Sequence, residues 1–192
     1  MTTNGSSPLL LHAGPAAGFD EPFEMLAACH ERVARMLRLL ARLREHLERH
    51  AADGQAADAQ AADAARDVMR YFDQAAPRHH EDEERHVLPR LRASADAAHR
   101  ELAARLAADH VEMAAAWAAL RPDLVAVAER RWPGGGEAEA AQAFTRWQRF
   151  AALYERHAAA EDEVAFPFAA SLVEGEARAA MGREMAARRG VG

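Results

Sequence analysis

Four stretches of this chain repeat apolar side chains at steps of three and four, the period of one helix face. Phe23, Leu26, His30, Val33, Leu37 and Leu40 form the first stripe. Val68, Phe72, Ala75, His79, Glu83 and His86 form the second. Leu102, Leu106, His110, Met113, Trp117 and Leu120 form the third. The fourth is the longest: Ala143, Trp147, Phe150, Tyr154, His157, Glu161, Val164 and Phe168. A helix with one apolar stripe has to bury it against another helix. Four such helices with short connections predict an all-α fold, an antiparallel up-down four-helix bundle.

The punctuation divides the chain into a flexible N-terminal arm at 1–19, a bundle at 20–171 and a tail at 172–192. Asp20 is placed to cap the first helix and Pro22 suits its first turn. That helix is expected to end between Glu48 and Ala52. Pro77 and Pro89 each lack a backbone donor, so a kink or break is expected at both. Ser94 is the expected cap of the third helix, whose stripe weakens after Pro122. "WPGGGE", Trp132 to Glu137, is a break. A short tail helix is expected over Glu176 to Arg188, with Gly190 just past its end.

Each stripe carries a histidine where a leucine would serve packing better. Two of them add a glutamate four residues on, His79 with Glu83 and His157 with Glu161. Residues four apart share a helix face, their Cβ atoms about 5–6 Å apart. The two segments also repeat one another. "HHEDEERHVLP" from His79 and "HAAAEDEVAFP" from His157 both have Glu at +4, an acid at +5 and Pro at +10. His30 precedes His79 by 49 residues and His110 precedes His157 by 47. The chain is therefore two similar helix pairs, which face to face would bring four histidines and two glutamates to one level of the core.

One histidine on an apolar face is ordinarily a core group with a hydrogen-bond partner. Buried carboxylates, however, are costly unless paired or metal-bound, and here the set is duplicated. Imidazole with carboxylate and no thiolate suits iron, zinc or manganese rather than structural zinc. Six ligands exceed what one catalytic zinc takes. They suit two ions bridged by the two carboxylates, with room for an oxo or hydroxo bridge and an open position.

"ACHERV" at 28–33, "RHHEDEERHVLPRL" at 78–91, "DHVEM" at 109–113 and "ERHAAAEDEVAFP" at 155–167 resemble the hemerythrin-like proteins of the bacterial HHE cation-binding type. The resemblance runs from Asp20 to about Ser171. It implies a four-helix bundle around two non-haem iron ions with an oxo or hydroxo bridge. It further implies terminal ligation by His30, His79, His110 and His157, with Glu83 and Glu161 bridging. Two features depart from the oxygen-carrying members. Ala114 stands where they have a second histidine, and Glu161 at +4 stands for their aspartate at +5, a place Asp162 holds here. One imidazole fewer leaves an iron more open and favours sensing, iron handling or a stress response involving NO or peroxide over oxygen carriage.

Other residues near the stripes have two readings each. His80 lies about 100° off the His79 face, as a flank or as the replacement imidazole. His86 is on the His79 face but about 10 Å further along, a core-edge group or a further metal neighbour. Tyr154 borders the expected centre and needs a hydroxyl partner. Phe72 and Phe150 are placed to wall the pocket. Glu84, Asp162 and Glu163 are solvated or orient imidazole N–H groups, and Cys29 is a small buried side chain. His46 and His50 fall about 160° and 200° round from His30, on the outer face, where a charged imidazole complements the helix C-terminus.

The net charge of −6 argues against nucleic acid as a partner, and no run of roughly 18 apolar residues is present to span a membrane. A single cysteine and an N-terminus without a basic, long apolar leader point to the cytoplasm. The first reading is a di-iron protein that meets O2, NO or peroxide as a ligand rather than an enzyme. The alternatives are a ferroxidase or a peroxide or NO reductase on the same centre, and a structural bundle with adventitious metal.

Overall fold

The computed structural model describes residues 18–52, 56–133 and 136–191. Helix α1 spans Pro22–Ala52, α2 Ala59–His86, α3 Leu88–Arg92, α4 Ala97–Ala128 and α5 Glu137–Ala160. A π turn at Glu161–Ala165 leads into α6, Phe166–Ser171, and the tail helix α7 spans Gly175–Arg188. No strand occurs among the described residues. The long helices α1, α2, α4 and α5 pack as a ring, α1 on α2, α2 on α4, α4 on α5 and α5 on α1, which is the expected up-down bundle. Residues 1–17, and with them most of the expected arm, lie outside the described residues.

The stripes bury as their period demands. Leu26, Val33, Leu37, Leu40, Leu43 and Leu47 of α1 are all inside, each apolar side chain contributing about 1.5–3 kcal/mol relative to exposure. The apolar core has two parts. One gathers Val33 to Leu47, Val68, Phe72, Met113, Leu120, Trp147, Phe150 and Tyr154, with Trp132 against Trp147 at 5.8 Å. The other gathers Met25, Leu26, Leu88, Leu91, Leu106, Phe166, Met181 and Met185. The tail helix is thus part of the second cluster. At Gly182 it touches the backbone at Phe19 so closely that an added Cβ would sit 1.8 Å from the Phe19 carbonyl oxygen.

Several local expectations change. The Met25 N–H bonds the Glu21 carbonyl, which makes Glu21 rather than Asp20 the cap position of α1. Asp96, not Ser94, caps α4: its carboxylate accepts from Ala98 N–H, and Ser94 instead accepts from Asp96 N–H. Pro77 does not break α2, nor Pro122 α4. Both prolines are exposed, so neighbouring helices are not disturbed. Pro89 and Pro167 do leave marks, and different ones. Helix α2 stops at His86 and restarts at Leu88, whereas α5 continues through the π turn, its Phe166 N–H reaching five residues back to Glu161 C=O. The extra residue shifts the stripe. Val164, expected inward, is exposed, and Ala165 takes the core position.

Candidate metal centre

Between the two apolar clusters lies a polar layer. His30, His79, Glu83, His110, His157 and Glu161 are all buried, both glutamates fully, at 0% exposure. The Nε2 atoms of the four histidines turn toward the carboxylates. His79 Nε2 lies 2.9 Å from Glu83 Oε1 and His110 Nε2 3.3 Å from Glu83 Oε2. Glu161 Oε2 is 3.2 Å from His30 Nε2 and 3.1 Å from His157 Nε2. His110 and His157 approach to 3.1 Å, Nε2 to Nε2. The six residues form two overlapping groups, His30, His79, Glu83 and Glu161, and Glu83, His110, His157 and Glu161, each with its ligand atoms within 4.8 Å of one another. Both glutamates belong to both groups.

Three of the four imidazoles are held from behind. His30 Nδ1 donates to Asp162 Oδ1 at 2.8 Å, His110 Nδ1 to Glu84 Oε1 at 3.0 Å, and His157 Nδ1 lies 3.4 Å from Asp109 Oδ2. Such outer carboxylates fix the ring and leave the Nε2 lone pair for a metal. Glu84 and Asp162 are the +5 acids of the two repeated segments, and each serves the lone histidine of the other helix pair. The π turn places Asp162 beside His30 directly after Glu161 has turned inward. Asp109 was not marked by the sequence pattern, although it immediately precedes His110 as Cys29 precedes His30. His79 Nδ1 is buried without a hydrogen-bond partner among the described residues. The Cys29 thiol turns to Met25, its Sγ 3.7 Å from Met25 Sδ. Burial works to raise that thiol's pKa, but the His79 ring outweighs it and the net shift is downward.

Carboxylates and imidazoles face one another across this layer. Burial alone would lower His30 and His79. The nearby carboxylates of Asp162, Glu161 and Glu83 outweigh it for His30, pushed up to about 12, and the Glu83 charge does so for His79, pushed up to about 10. His110 rises for the same reason, against burial and through Glu83. Burial would raise Glu83, yet the facing imidazoles hold it well below the usual carboxylate range.

The donor set fits a resident metal. His30 Nε2 and all four carboxylate oxygens of Glu83 and Glu161 are buried without a hydrogen-bond partner among the described residues. Leaving such atoms unmatched is expensive in a protein interior, and cations between them would satisfy the whole set at once.

The neighbours divide. His80 stacks on His110 with ring centres 4.4 Å apart and on Tyr154 at 5.7 Å, and its Nε2 is buried and unpaired. Burial pushes it down to about 3, helped by the nearby imidazoles. His86 is not brought to the centre: its Nε2 pairs with Glu184 of the tail at 2.7 Å, because the end of α2 is covered by α7. Phe72, Phe150 and Tyr154 form a mutually edge-on triad 4.9–5.3 Å apart. The Tyr154 hydroxyl has no hydrogen-bond partner among the described residues, and burial raises its pKa. Phe166 stacks on the His30 ring at 5.1 Å. Glu163 is exposed. Ala114 is exposed too, and Met113 fills the inward place on that turn.

A helical bundle with repeated His/Glu pairs turned into a buried, mutually unsatisfied layer defines a cation-binding four-helix protein. The hemerythrin HHE cation-binding domain model matches residues 21–184, and the chain belongs to that family. It is also 31% identical over 178 residues to an uncharacterized protein of Haemophilus influenzae, covering 91% of this chain and 94% of that protein. No described helix is long and apolar enough to cross a membrane.

Proposed function

We propose that the chain binds two non-haem iron ions and presents them to a small ligand, O2, NO or peroxide, in sensing, iron handling or a stress response in the cytoplasm. The observation that carries this is the sharing of Glu83 and Glu161 between two His-pair groups. Two imidazoles with carboxylate and positions left open suit non-haem iron. His30 and His79 would hold one ion, His110 and His157 the other, and Glu83 and Glu161 both, with an oxo or hydroxo bridge completing the pair. Such a centre supplies exchangeable electrons and an open position for a diatomic molecule. The chain's own part is to orient and to exclude. Asp162, Glu84 and Asp109 fix three rings, and Phe72, Phe150 and Phe166 keep bulk water from the layer.

Metal analysis with absorption spectroscopy tests this. Protein from iron-rich medium should carry about two irons per chain, one for each group of ligands, with charge-transfer bands near the ultraviolet edge. Colourless, iron-free protein from that medium overturns the reading.

One observation favours a second reading, a di-iron ferroxidase or a peroxide or NO reductase. His80 offers a buried, unpaired Nε2 beside His110, a nitrogen that burial keeps neutral and that is able to bind an ion or accept a hydrogen bond from a reacting peroxide. Steady consumption of peroxide or NO selects the enzyme. Reversible binding without turnover selects the ligand-binding protein.

A further inference from the structure

We propose that His46, His50 and Asp58 form a second metal site, for a zinc-class divalent cation, joining the end of α1 to the start of α2. It is independent of the buried layer. His46 is 16 residues along α1 from His30, roughly 24 Å at the helical rise.

The geometry is that of a built three-ligand set. His46 Nε2 lies 3.1 Å from Asp58 Oδ1 and His50 Nε2 3.5 Å from Asp58 Oδ2. The two rings stand 4.0 Å apart, and the three ligand atoms lie within 4.8 Å of one another. Each part is held in place by its own helix. His46 and His50 are one turn apart. Asp58 caps α2, its Oδ1 accepting from Ala61 N–H at 2.8 Å. That backbone bond, chiefly, holds its carboxyl below the usual range and so ionised.

His50 supplies the second observation. Its Nδ1 donates to the His46 carbonyl at 3.0 Å, which turns its other ring nitrogen, Nε2, toward the Asp58 carboxylate. Two electron-pair donors aimed at each other repel unless a cation lies between them. A metal-bound imidazole typically donates its other nitrogen in this way. Two imidazoles and one carboxylate match the three protein ligands of an open zinc site. His46 also lines a cleft of about 470 Å³ with Arg42, Arg49 and Gln60, where a water or small anion has room to complete the coordination.

Calorimetric titration of zinc chloride into the iron-loaded protein at mildly alkaline pH tests the site. The wild type should take up one zinc per chain without loss of core iron. His50→Ala and Asp58→Asn should each weaken that uptake by roughly 10–100-fold or more, with core iron unchanged. Asparagine caps a helix as well as aspartate, so Asp58→Asn separates loss of the ligand from loss of the fold, and an unchanged circular dichroism spectrum checks this. Zinc uptake equal in wild type and both variants overturns the proposal. So does a wild type that takes up no zinc, which would leave a proton shared between His50 and Asp58 as the cation.

Discussion

Cys29 and Asp109 hold equivalent places on opposite sides of the buried layer. Each directly precedes a lone histidine, but only Asp109 meets the ring that opens the motif of its own helix pair, its Oδ2 3.4 Å from His157 Nδ1, while His79 Nδ1 has no hydrogen-bond partner among the described residues. One ring is backed by a carboxylate and the other by no hydrogen bond among the described residues, so the two halves of the centre are not alike. A carboxylate behind an imidazole raises its basicity and fixes its orientation. Asp109→Ala should therefore weaken metal retention by about 10–100-fold, and Cys29→Ala much less. Competition with a chelator measures both, and equal losses would refute the asymmetry.

Loading the metal-free protein should release protons. With His30 pushed up to about 12 and His79 to about 10, both rings hold an extra proton at neutral pH that a metal must displace. Affinity therefore rises with pH. The sign for stability is the reverse in the metal-free form. A raised pKa contributes stability that is fully present below the unfolded value of 6.5 and is lost as pH climbs through about 10 and then about 12. The metal-free melting temperature should fall across that alkaline window while the loaded protein's holds. Titrations in buffers of different ionisation enthalpy count the protons, and a release of none would contradict the assignment.

Asp82 is fully buried and paired with Arg188 and Arg189 of the tail. Removing both arginines leaves a buried carboxylate without a partner, a change that destabilises by about 3–5 kcal/mol when a pair is wholly internal. Both arginines keep some solvent contact, so about 3 kcal/mol is expected for the double alanine variant. Urea unfolding reads it directly. A change within error of zero would mean that α7 is held by Met181 and Met185 alone.

Acid should loosen the same helix first. The hydrogen bond from Arg188, aided by His86, holds Glu184 down to about 2, although burial opposes this. A depressed carboxylate gives stability that is present above its unfolded value of 4.5 and is lost as pH falls toward about 2. Amide exchange in α7 should accelerate through that window before exchange in α1 does. Simultaneous loss of protection in both helices would rule out a separate latch.

The bundle was legible because burial of a stripe leaves a periodic trace, and the six inward residues because the two motifs repeat. Glu84 and Asp162 could be read as ring-orienting groups from their shared +5 position. Asp109 could not, since its counterpart, Cys29, is a different kind of side chain and hides the symmetry. The π turn was hidden for a related reason. A 3.6-residue period carried past Glu161 points Val164 inward, and nothing local to the side chains announces the added residue except Pro167 downstream. His86, Asp82 and Glu184 escaped because pairing across about a hundred positions leaves no period. His46 and His50 lie off the buried stripe and are half-buried, and their meeting with Asp58 depends on how α2 begins.

The exchange of the +5 acids has a consequence for how the centre can come into being. Helix pair α1–α2 owns an acid, Glu84, whose imidazole is His110 on the other pair, and α4–α5 owns Asp162, whose imidazole is His30. Neither hairpin, folded alone, orients both of its imidazoles: α4–α5 holds His157 through Asp109 but not His110, and α1–α2 lacks the acid for His30. Capture of a cation therefore reports on the docking of the two halves, and a half-formed molecule has no finished cage in which to trap the wrong ion.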